Sequence, residues 1–504
     1  MTTAQPASQP IATTADYDVV IIGAGISGIG AAHYLRTNHP EKSFAILESR
    51  DAIGGTWDLF RYPGIRSDSD LFTFGYEFKP WTDDQSIADA PRILDYLREA
   101  VADDNLEDTI VFHRRVTAVD WSDADQLWHL TVARTDKTDR KKPDTITAHW
   151  IFSGTGYYNY DEGYTPQFPG QDDFQGQIVH PQHWPEDLDY KGKQVVIIGS
   201  GATAVTLMPA MAPDTAHITM LQRTPSYIMP VPREDPIAKK TRKLLGEERG
   251  FKVNRQRSIL QQKAIYQFCQ RFPGAARKLI RKVNEKQLPE GFDVDKHFNP
   301  PYDPWDQRLC AVPNGDMYKE IRNGDASVVT ANIKTFDATG IQLDDGTHLD
   351  ADIIITATGL NLQLFGGMAV SVNGEPLDFP STVAYRGAML SGLPNFIMAI
   401  GYTNSSWTLK IGLLCEWFCR VLSHMDKAGY SSVRPVAPKN METRPLLDFE
   451  AGYVKRSIDT LPKQGTQDPW KTTMSVSNDI KNLRKGAVDD GFLRYDKAPA
   501  LAPA

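Results

Sequence analysis

Short runs of β-branched and aliphatic residues recur along the chain, and two of them end at glycines. The first, DVVII at 18–22, leads into GAGISGIGAAHYL and is followed by SFAILES at 43–49. The second, QVVIIG at 194–199, leads into SGATAVTLMPAMA and is followed by HITMLQR at 217–223. Such runs are typical of strands buried in a parallel sheet, and the glycine-led stretches indicate helices. The pattern predicts an α/β fold with two Rossmann-like dinucleotide-binding domains.

The stretch between Pro230 and Pro300 has a helical pattern and is strongly basic. From Lys239 to Lys286 there are 15 Lys and Arg against three Glu, a local net charge of +12 that leaves −20 on the remainder. Solvated faces of a helical insertion explain this pattern. The alternatives are a surface attracted to anionic lipid, giving peripheral membrane contact, or to an acidic partner, and steering of a phosphorylated cofactor.

Strand patterns return after Pro300. The stretch 339–359 reads as a hairpin with an Asp-Asp-Gly turn, and NFIMAIGY at 395–402 reads as a buried strand. The apolar periodicity of 408–429 predicts a long helix.

The composition is that of an ordinary globular protein. Of 504 residues, 41% are hydrophobic and 23% are charged, which excludes fibrous and disordered classes. The net charge of −8 argues against a nucleic-acid partner. Four cysteines are too few for a disulfide framework, and for Cys415 and Cys419 we favour buried free thiols over a metal site.

No apolar run reaches the roughly 18 residues of a transmembrane helix, and the N-terminal residues lack the apolar core of a signal peptide. We therefore expect a cytoplasmic location and no transmembrane segment.

Glycine spacing indicates the first nucleotide site. Gly23 permits a tight turn, Gly25 lets the backbone approach a pyrophosphate, and Gly28 allows close helix–strand packing. Glu48 follows the next strand, where a carboxylate accepts hydrogen bonds from a ribose diol. This arrangement favours FAD.

The second turn differs at two points. Its residues are Gly199, Ser200, Gly201, Ala202, Thr203, Ala204 and Val205, so that alanine replaces the third glycine. The following strand ends in Gln222, Arg223 and Thr224 rather than in an acid. Arginine can grip a 2′-phosphate that an acid would repel, which favours NADPH, although a plain surface arginine stays possible as an alternative.

These two sites predict hydride transfer between NADPH and FAD, and they define an expected domain layout. The parts are 1–155, FAD domain, first part; 156–229, linker and NADPH domain, first part; 230–307, helical insertion; 308–375, NADPH domain, second part; and 376–504, FAD domain, second part, with the C-terminal tail.

Two further motifs resemble those of the type I Baeyer–Villiger monooxygenases. The segment FQGQIVHPQHWP fits the family fingerprint at every fixed position, namely Phe174, Gly176, His180, Trp184 and Pro185. Taken alone, His180 is better explained as a satisfied structural histidine than as a proton shuttle. A second family motif is matched by Gly54, Gly55, Trp57, Tyr62, Pro63, Gly64 and Asp68.

The resemblance implies roles for individual residues. Arg308 matches the active-site arginine, and Asp68 matches the carboxylate that positions it. Arg66, Ser67 and Asp68 fall where the nicotinamide approaches, whereas Ser27, Thr56, Trp57, Asp68 and Val116 fall at FAD-contact positions. Many members have lysine before the active-site arginine, where this chain has Gln307. A salt-bridge arginine and a helix-capping aspartate are the structural alternatives.

The resemblance also implies an activity. A small-molecule ketone would be converted to an ester or lactone with O2, FAD and NADPH through a C4a-(hydro)peroxyflavin, and sulfides or thioamides would be oxygenated as well. Three alternatives are a heteroatom-hydroxylating flavin monooxygenase, a disulfide reductase and a non-catalytic scaffold. The Trp-Pro ending of the fingerprint argues against the first, and the absence of C-x-x-x-x-C after the first turn argues against the second.

Overall fold

Two sheets organise the molecule, and the first contains the N-terminal strand of the described chain together with strands from the second half of the sequence. The computed structural model describes residues 15–136, 143–307, 309–447 and 452–497. The first sheet has nine strands, whose spatial order is Glu375–Pro376, Ala369–Val372, Arg114–Ser122, Leu127–Arg134, Asp144–Ser153, Tyr17–Ile22, Phe44–Leu47 and Ile110–Val111, with Phe396–Met398 also beside Asp144–Ser153. Tyr17–Ile22 lies between two parallel neighbours, and Val20 faces Ala45 on one side and Ile151 on the other. This central position explains the unbroken apolar run.

The second sheet is wholly parallel. Its spatial order is Ala326–Thr330, His217–Gln222, Gln194–Ile198, Ile353–Thr356 and Gln177–Val179. As in the first sheet, the strand that precedes the glycine turn is central. The two turns therefore occupy equivalent places, at the carboxyl end of a buried strand.

Two antiparallel strands, here called the connecting strands, lie where the chain passes between the sheets. They are Tyr158–Gly163 and Leu360–Leu362. The smaller sheets are Tyr227–Val231 with Leu309–Pro313; Ile333–Asp337, Gly340–Leu343 and His348–Asp350; Met389–Leu390, Val383–Tyr385, Lys463–Gly465 and Thr443–Pro445; and Ser432–Pro435 with Leu493–Asp496.

The helices surround the sheets, and one group forms the predicted insertion. The α-helices are Ile26–Asn38, Thr56–Leu59, Leu71–Phe74, Ala90–Asp103, Ala202–Met211, Pro236–Leu245, Glu247–Arg271, Pro273–Gln287, Val294–His297, Asp316–Asn323, Trp407–Ala428, Gly452–Ser457 and Val476–Asp479. Short 3-10 turns are Glu107–Thr109, Gln171–Asp173, Pro181–His183, Leu364–Gly367, Phe379–Ser381 and Ile458–Thr460, and Ile480–Lys485 is a π-helix. Within the described ranges, we find no helix that is both long and apolar enough to cross a membrane.

The helical insert, residues 236–297, packs against the core of the first sheet and against the core of the second sheet. Ala238 and Phe251 belong to the first sheet's core. Arg255 is buried and donates to the carbonyls of Phe72 and Gly75, each at 2.8 Å. At the other end, Leu288 and Val294 belong to the core of the second sheet. The insert thus bridges the two halves.

Most predicted elements are confirmed, with two corrections. The strand expected over 395–402 covers only Phe396–Met398. The expected domain layout stays a prediction; Ala369–Val372, which precedes the boundary set at residue 376, pairs with Arg114–Ser122 in the first sheet. The hairpin expected over 339–359 forms only between Gly340–Leu343 and His348–Asp350, because Ile353–Thr356 is a strand of the second sheet. All four cysteines are free and buried, as expected for Cys415 and Cys419.

Candidate functional site

Both glycine turns line one cavity of about 290 Å³. The first glycine turn, Gly23–Gly28, contributes Gly25 and Ser27 to its wall. The second glycine turn, Gly199–Ala204, contributes Ala202 and Thr203, and Val205 follows in the same wall. Two units that are distant in sequence are therefore brought to one space.

The first glycine turn is held by its own packing and by a buried carboxylate. Gly23 has φ of +99°, and a Cβ on Gly28 would lie 1.9 Å from the Gly23 carbonyl oxygen. Glu48 Oε2 accepts the Ala24 N–H at 2.7 Å, and its Oε1 accepts the Arg50 N–H at 3.0 Å. Glu48, which is expected to bind a ribose, therefore also holds the backbone of the first glycine turn in place.

The second glycine turn has a similar backbone but different supports. Gly199 has φ of +136°, and a Cβ there would lie 2.3 Å from the Ala357 carbonyl oxygen. Ser200 Oγ donates to the Thr224 carbonyl at 3.1 Å, which brings the end of the neighbouring strand to the turn. Arg223, the preceding residue, is exposed. The geometry leaves its side chain accessible to a ligand at this turn.

The motif segment, residues 54–68, runs from one turn to the other. Gly55 has φ of +56°, and a Cβ on it would lie 3.2 Å from Gly25 Cα. Gly64 has φ of +76°, and a Cβ on it would lie 3.1 Å from the carbonyl oxygen of Thr206 in the second turn's helix. The backbone needs glycine at both ends because the segment presses against backbone there.

Between those ends, the motif segment is joined to the second half by polar contacts. Tyr62 is buried and forms a side-chain hydrogen bond with Thr203, and burial raises the pKa of Tyr62 to about 12. Arg66 is paired with Asp316 at the start of Asp316–Asn323. Through Tyr62 and Arg66, the motif segment is therefore attached to the second half of the molecule.

The residues expected at the nicotinamide lie on the cavity wall. Arg66, Ser67 and Asp68 all line the cavity. Because Arg66 is paired with Asp316, its charge is already balanced. Asp68 is exposed at the wall, where a carboxylate can meet a positively charged neighbour.

Aromatic residues that the sequence reasoning missed form much of the remaining wall. Trp407 stacks on Tyr157, with ring centroids 5.4 Å apart, and its Nε1 donates to Ser27 Oγ at 2.8 Å. The Tyr160 hydroxyl lies 3.1 Å from Thr56 Oγ1, and burial raises the pKa of Tyr160 to about 12. Neutral, apolar walls of this kind exclude water.

A signal for the tyrosines was present in the sequence. The run GTGYYNYDEG follows the strand Asp144–Ser153, which pairs in parallel with Tyr17–Ile22. Carboxyl ends of parallel neighbours share one sheet edge, so this run had to lie beside the first glycine turn. Trp407 offered no comparable signal, because a long-range contact places it.

A second cavity of about 110 Å³ continues the first. The two cavities share Gly25, Gly55, Gly154, Tyr158 and Tyr160. The second is lined by Glu48 and by Val116, both expected at FAD, and by Arg114 and Gln363. Together they form an extended cleft over a helix N-terminus with a carboxylate at one end, which fits the shape and polarity of a dinucleotide.

The fingerprint residues lie away from the cleft, around the second sheet and the connecting strands. Phe174 is buried against Phe336 in the second sheet's core. A Cβ on Gly176 would lie 2.3 Å from the Asp352 carbonyl oxygen. Trp184 packs on the core that surrounds Val195, and Pro185 beside it is partly buried. These positions indicate packing of the second half.

His180 lies against a connecting strand. A Cβ on Gly163 would lie 2.0 Å from its ring. His180 Nδ1 accepts the Gln182 N–H at 3.2 Å, but Nε2 is buried without a hydrogen-bond partner among the described residues. Burial lowers the pKa of His180. The interpretation of His180 as a structural histidine stays a prediction.

The predicted catalytic arginine, Arg308, lies outside the described residues. Its neighbour Gln307 is half-buried, and the strand Leu309–Pro313 begins immediately after it. Cys310 and Ala311, on that strand, line the cavity. The chain therefore reaches the cavity wall within two residues of position 308.

The predicted site residues other than Arg308 divide into three groups. Those on the cavity walls are Gly23, Gly25, Ser27, Glu48, Thr56, Trp57, Arg66, Ser67, Asp68, Val116, Ala202, Thr203 and Val205. Those in the turns or beside them, but not on the cavity walls, are Gly28, Gly199, Ser200, Gly201, Ala204, Arg223 and Thr224. The fingerprint residues form the third group. The individual roles expected for them stay predictions.

Comparisons with known proteins agree with this geometry. Residues 16–371 match the model of a family described as flavin-binding monooxygenase-like. The chain is 51% identical over 489 residues to the FAD-containing monooxygenase EthA of Mycobacterium tuberculosis, covering 97% of this chain and 99% of that protein. It is 48% identical to a probable FAD-binding monooxygenase, AlmA, of an Acinetobacter species, covering 95% and 96%.

Solved structures share the fold at low identity. An oxidized steroid monooxygenase bound to NADP superposes with a TM-score of 0.73 at 22% identity, covering 95% of this chain and 99% of that one. A cyclohexanone monooxygenase with bound ε-caprolactone also gives 0.73, at 21% identity with the same coverage.

Proposed function

The chain belongs to the flavin-binding monooxygenase-like family, and from that premise we propose that it is a Baeyer–Villiger monooxygenase. Its cofactors are FAD and NADPH, and O2 is its co-substrate. One oxygen atom is inserted between a ketone carbonyl carbon and its neighbour to give an ester or lactone. The other leaves as water, and NADPH supplies the two electrons. Sulfides and thioamides are oxygenated by the same enzyme.

One observation carries this proposal: both glycine turns open into one cavity. Hydride transfer needs the two cofactors within contact distance, and only a shared space allows it. A disulfide reductase would need a redox pair of cysteines at this place. Here the only cysteine among the described wall residues is Cys310.

The first half of the cleft fits FAD. The helix Ile26–Asn38 directs its N-terminus at the first glycine turn, where a pyrophosphate is favoured. Glu48 and Val116 line the far end, where the adenosine part would lie. When bound, the flavin accepts hydride and activates O2, chemistry that no side chain supplies.

The second half fits NADPH. Arg223 follows His217–Gln222, the strand equivalent to the one that precedes Glu48 at the first site, so its guanidinium can pair with a 2′-phosphate. Thr224 is fixed beside the turn through Ser200. With Gln307 in place of lysine, selectivity for NADPH over NADH depends chiefly on these two residues.

The remaining residues prepare the reaction space. Trp57, Tyr157 and Trp407 would shield a bound flavin from water, which would favour oxygenation of the substrate over release of hydrogen peroxide. We assign Arg308 the stabilisation of negative charge at the reacting oxygen, because a guanidinium stays protonated at any working pH. Asp68 orients it from the cavity wall. A preorganised donor in such a site contributes about 3 kcal/mol.

The test is aerobic NADPH oxidation by the purified, FAD-loaded enzyme. A panel of linear, cyclic and aryl ketones and of sulfides is supplied, and products are identified by mass spectrometry. We expect esters or lactones from some ketones and sulfoxides from sulfides. Sulfoxide without any ester would instead assign the chain to the heteroatom-oxygenating members of the family.

Replacing the arginine tests the mechanism. Arg308→Ala should still be reduced by NADPH but should lose at least about a hundredfold in oxygenated product. Gln307→Ala, one residue earlier, serves as the matched control and should retain product formation. Ester formation by Arg308→Ala at the wild-type rate would contradict the assigned role.

A further inference from the structure

Exposed apolar side chains are concentrated on the helical insert. Among the described residues, ten large apolar side chains are exposed, and nine of them lie between Ile237 and Leu279. The tenth is Val436. Single exposed apolar residues are ordinary on a protein surface, but such a concentration marks an interaction surface.

On the helix Glu247–Arg271 these side chains form a stripe. Leu260, Ala264 and Phe268 are spaced four residues apart on this helix, Phe272 follows at its C-terminal cap, and all four are exposed. Residues four apart lie on one face of a helix. Phe268 and Phe272 also contact one another, with ring centroids 6.0 Å apart. The stripe therefore runs along one side of the helix to its C-terminal end.

The opposite face of the same helix is firmly attached to the first half of the molecule. Arg255 donates to backbone carbonyls of Phe72 and Gly75, and Asn254 is fully buried. Gln262 donates to Asp70 at 2.6 Å and accepts from Ser405 at 2.8 Å. Because these contacts fix the helix, the stripe is held outward.

Basic side chains surround the stripe. Of the 15 Lys and Arg between Lys239 and Lys286, ten are exposed, against three exposed Glu. Lys263 and Arg271 are on the helix of the stripe, and Lys278 and Lys282 are on the next helix, Pro273–Gln287. An apolar stripe with lysine and arginine at its sides is typical of helices that lie in the interface of an anionic membrane.

We propose that this face of the helical insert docks the enzyme on the surface of a bilayer that contains anionic phospholipid. Leu260, Phe268 and Phe272 enter the headgroup–acyl boundary. The surrounding Lys and Arg pair with phosphate groups. This inference is independent of the proposed reaction.

Charge favours lipid over a second copy of this chain. A two-fold symmetric contact through the stripe would bring two strongly basic faces together, which costs association free energy. An anionic bilayer supplies the complementary charge and the apolar layer at the same place.

The experiment is vesicle flotation of the FAD-loaded, full-length enzyme. One vesicle preparation is phosphatidylcholine alone, and the other is phosphatidylcholine with phosphatidylglycerol. We expect the enzyme to bind the anionic vesicles at least about tenfold more strongly, and the binding to weaken as salt is raised.

Two sets of variants locate the surface. Phe268→Ser with Phe272→Ser removes apolar area, and Lys263→Glu, Arg271→Glu and Lys278→Glu together reverse charge. Each set should weaken binding to anionic vesicles by about tenfold or more. The matched controls are Val436→Ser and the triple reversal of exposed Lys191, Lys439 and Lys471, which should bind as the wild type does.

Flavin absorbance and the thermal midpoint show whether each variant is folded, and the native mass is measured by light scattering. Absence of wild-type binding to anionic vesicles would overturn the proposal, and so would insert variants that bind as the wild type does. A mass that falls in the insert variants, without any vesicle binding, would assign the face to a second copy.

Discussion

The two glycine turns have nearly the same backbone and different surroundings. The residue before each helix is Gly25 in one and Gly201 in the other, with φ, ψ of −82°, −175° and −84°, −174°. Each turn leaves a central parallel strand through a glycine with positive φ. The glycine spacing thus determines one backbone shape at two places in the chain.

The two glycine turns differ in what surrounds them. Gly25 faces Gly55 of the motif segment, where a Cβ would be 3.6 Å from Gly55 Cα, whereas a Cβ on Gly201 would have no neighbour within 4 Å. Glu48 beneath the first turn is buried, and Arg223 beside the second is exposed. The first turn suits a cofactor that stays bound, and the second suits one that must exchange in every cycle.

The third glycine gives the strongest test of this comparison. Gly28→Ala places a Cβ 1.9 Å from a backbone carbonyl, so we expect loss of FAD and a cost of about 3 kcal/mol or more in unfolding free energy. At the equivalent position of the second turn, the chain already has an alanine, Ala204. Ala204→Gly should cost only about 1–2 kcal/mol, for helix propensity and one buried methyl.

Both variants are measured by FAD content after purification and by denaturant unfolding. If Gly28→Ala retained FAD and stability, the first turn would tolerate the same substitution as the second, and the contrast in packing would be lost.

Replacing Glu48, the carboxylate beneath the first turn, should have a smaller effect on FAD binding. Glu48 accepts two backbone N–H groups with its two oxygens, and Glu48→Gln leaves only one acceptor. An unpaired buried N–H costs about 1–3 kcal/mol, so we expect FAD to bind about tenfold more weakly, with the KM for NADPH unchanged. Titration of the apoprotein with FAD measures this.

Asp51→Asn is the charge-matched control, since Asp51 is exposed three residues further on. Equal loss of FAD affinity in both variants would show that net charge, and not support of the turn, is responsible.

The smallest effect is expected at the exposed arginine of the second turn. Arg223→Ala should raise the KM for NADPH roughly five- to tenfold and leave the KM for NADH nearly unchanged, because only NADPH carries a 2′-phosphate. Steady-state kinetics with both coenzymes provide the comparison, with Lys191→Ala as the control. Parallel changes for NADPH and NADH would refute a phosphate-reading role.

Local patterns predicted the strands and turns because those elements are determined by neighbouring residues. Val19, Val20 and Ile21 are fully buried, so their apolar run marks a central strand directly. The basic helices show the limit. Arg255 is buried on carbonyls while Arg249 is exposed, and periodicity cannot separate them, because the difference depends on which surface the helix meets.

The residues of the candidate site also fall into those that local sequence predicted and those that long-range packing places. Gly25, Glu48 and Thr203 were predictable because each follows a strand at a fixed spacing. Trp407 was not, since it reaches the cavity only through the packing of Trp407–Ala428 against the first half. The fingerprint motif was recognised, but its distance from the cleft could not be read from the sequence.

The motif segment also sets the distance between the two glycine turns. Nine positions separate Gly55 at the first turn from Gly64 at the second. Deleting one residue would shorten its reach by up to about 3.5 Å, more than either backbone contact could absorb. Variation in length should therefore be rare in this stretch among enzymes that share it, and engineers who wish to resize the cavity should exchange side chains here and never the number of residues.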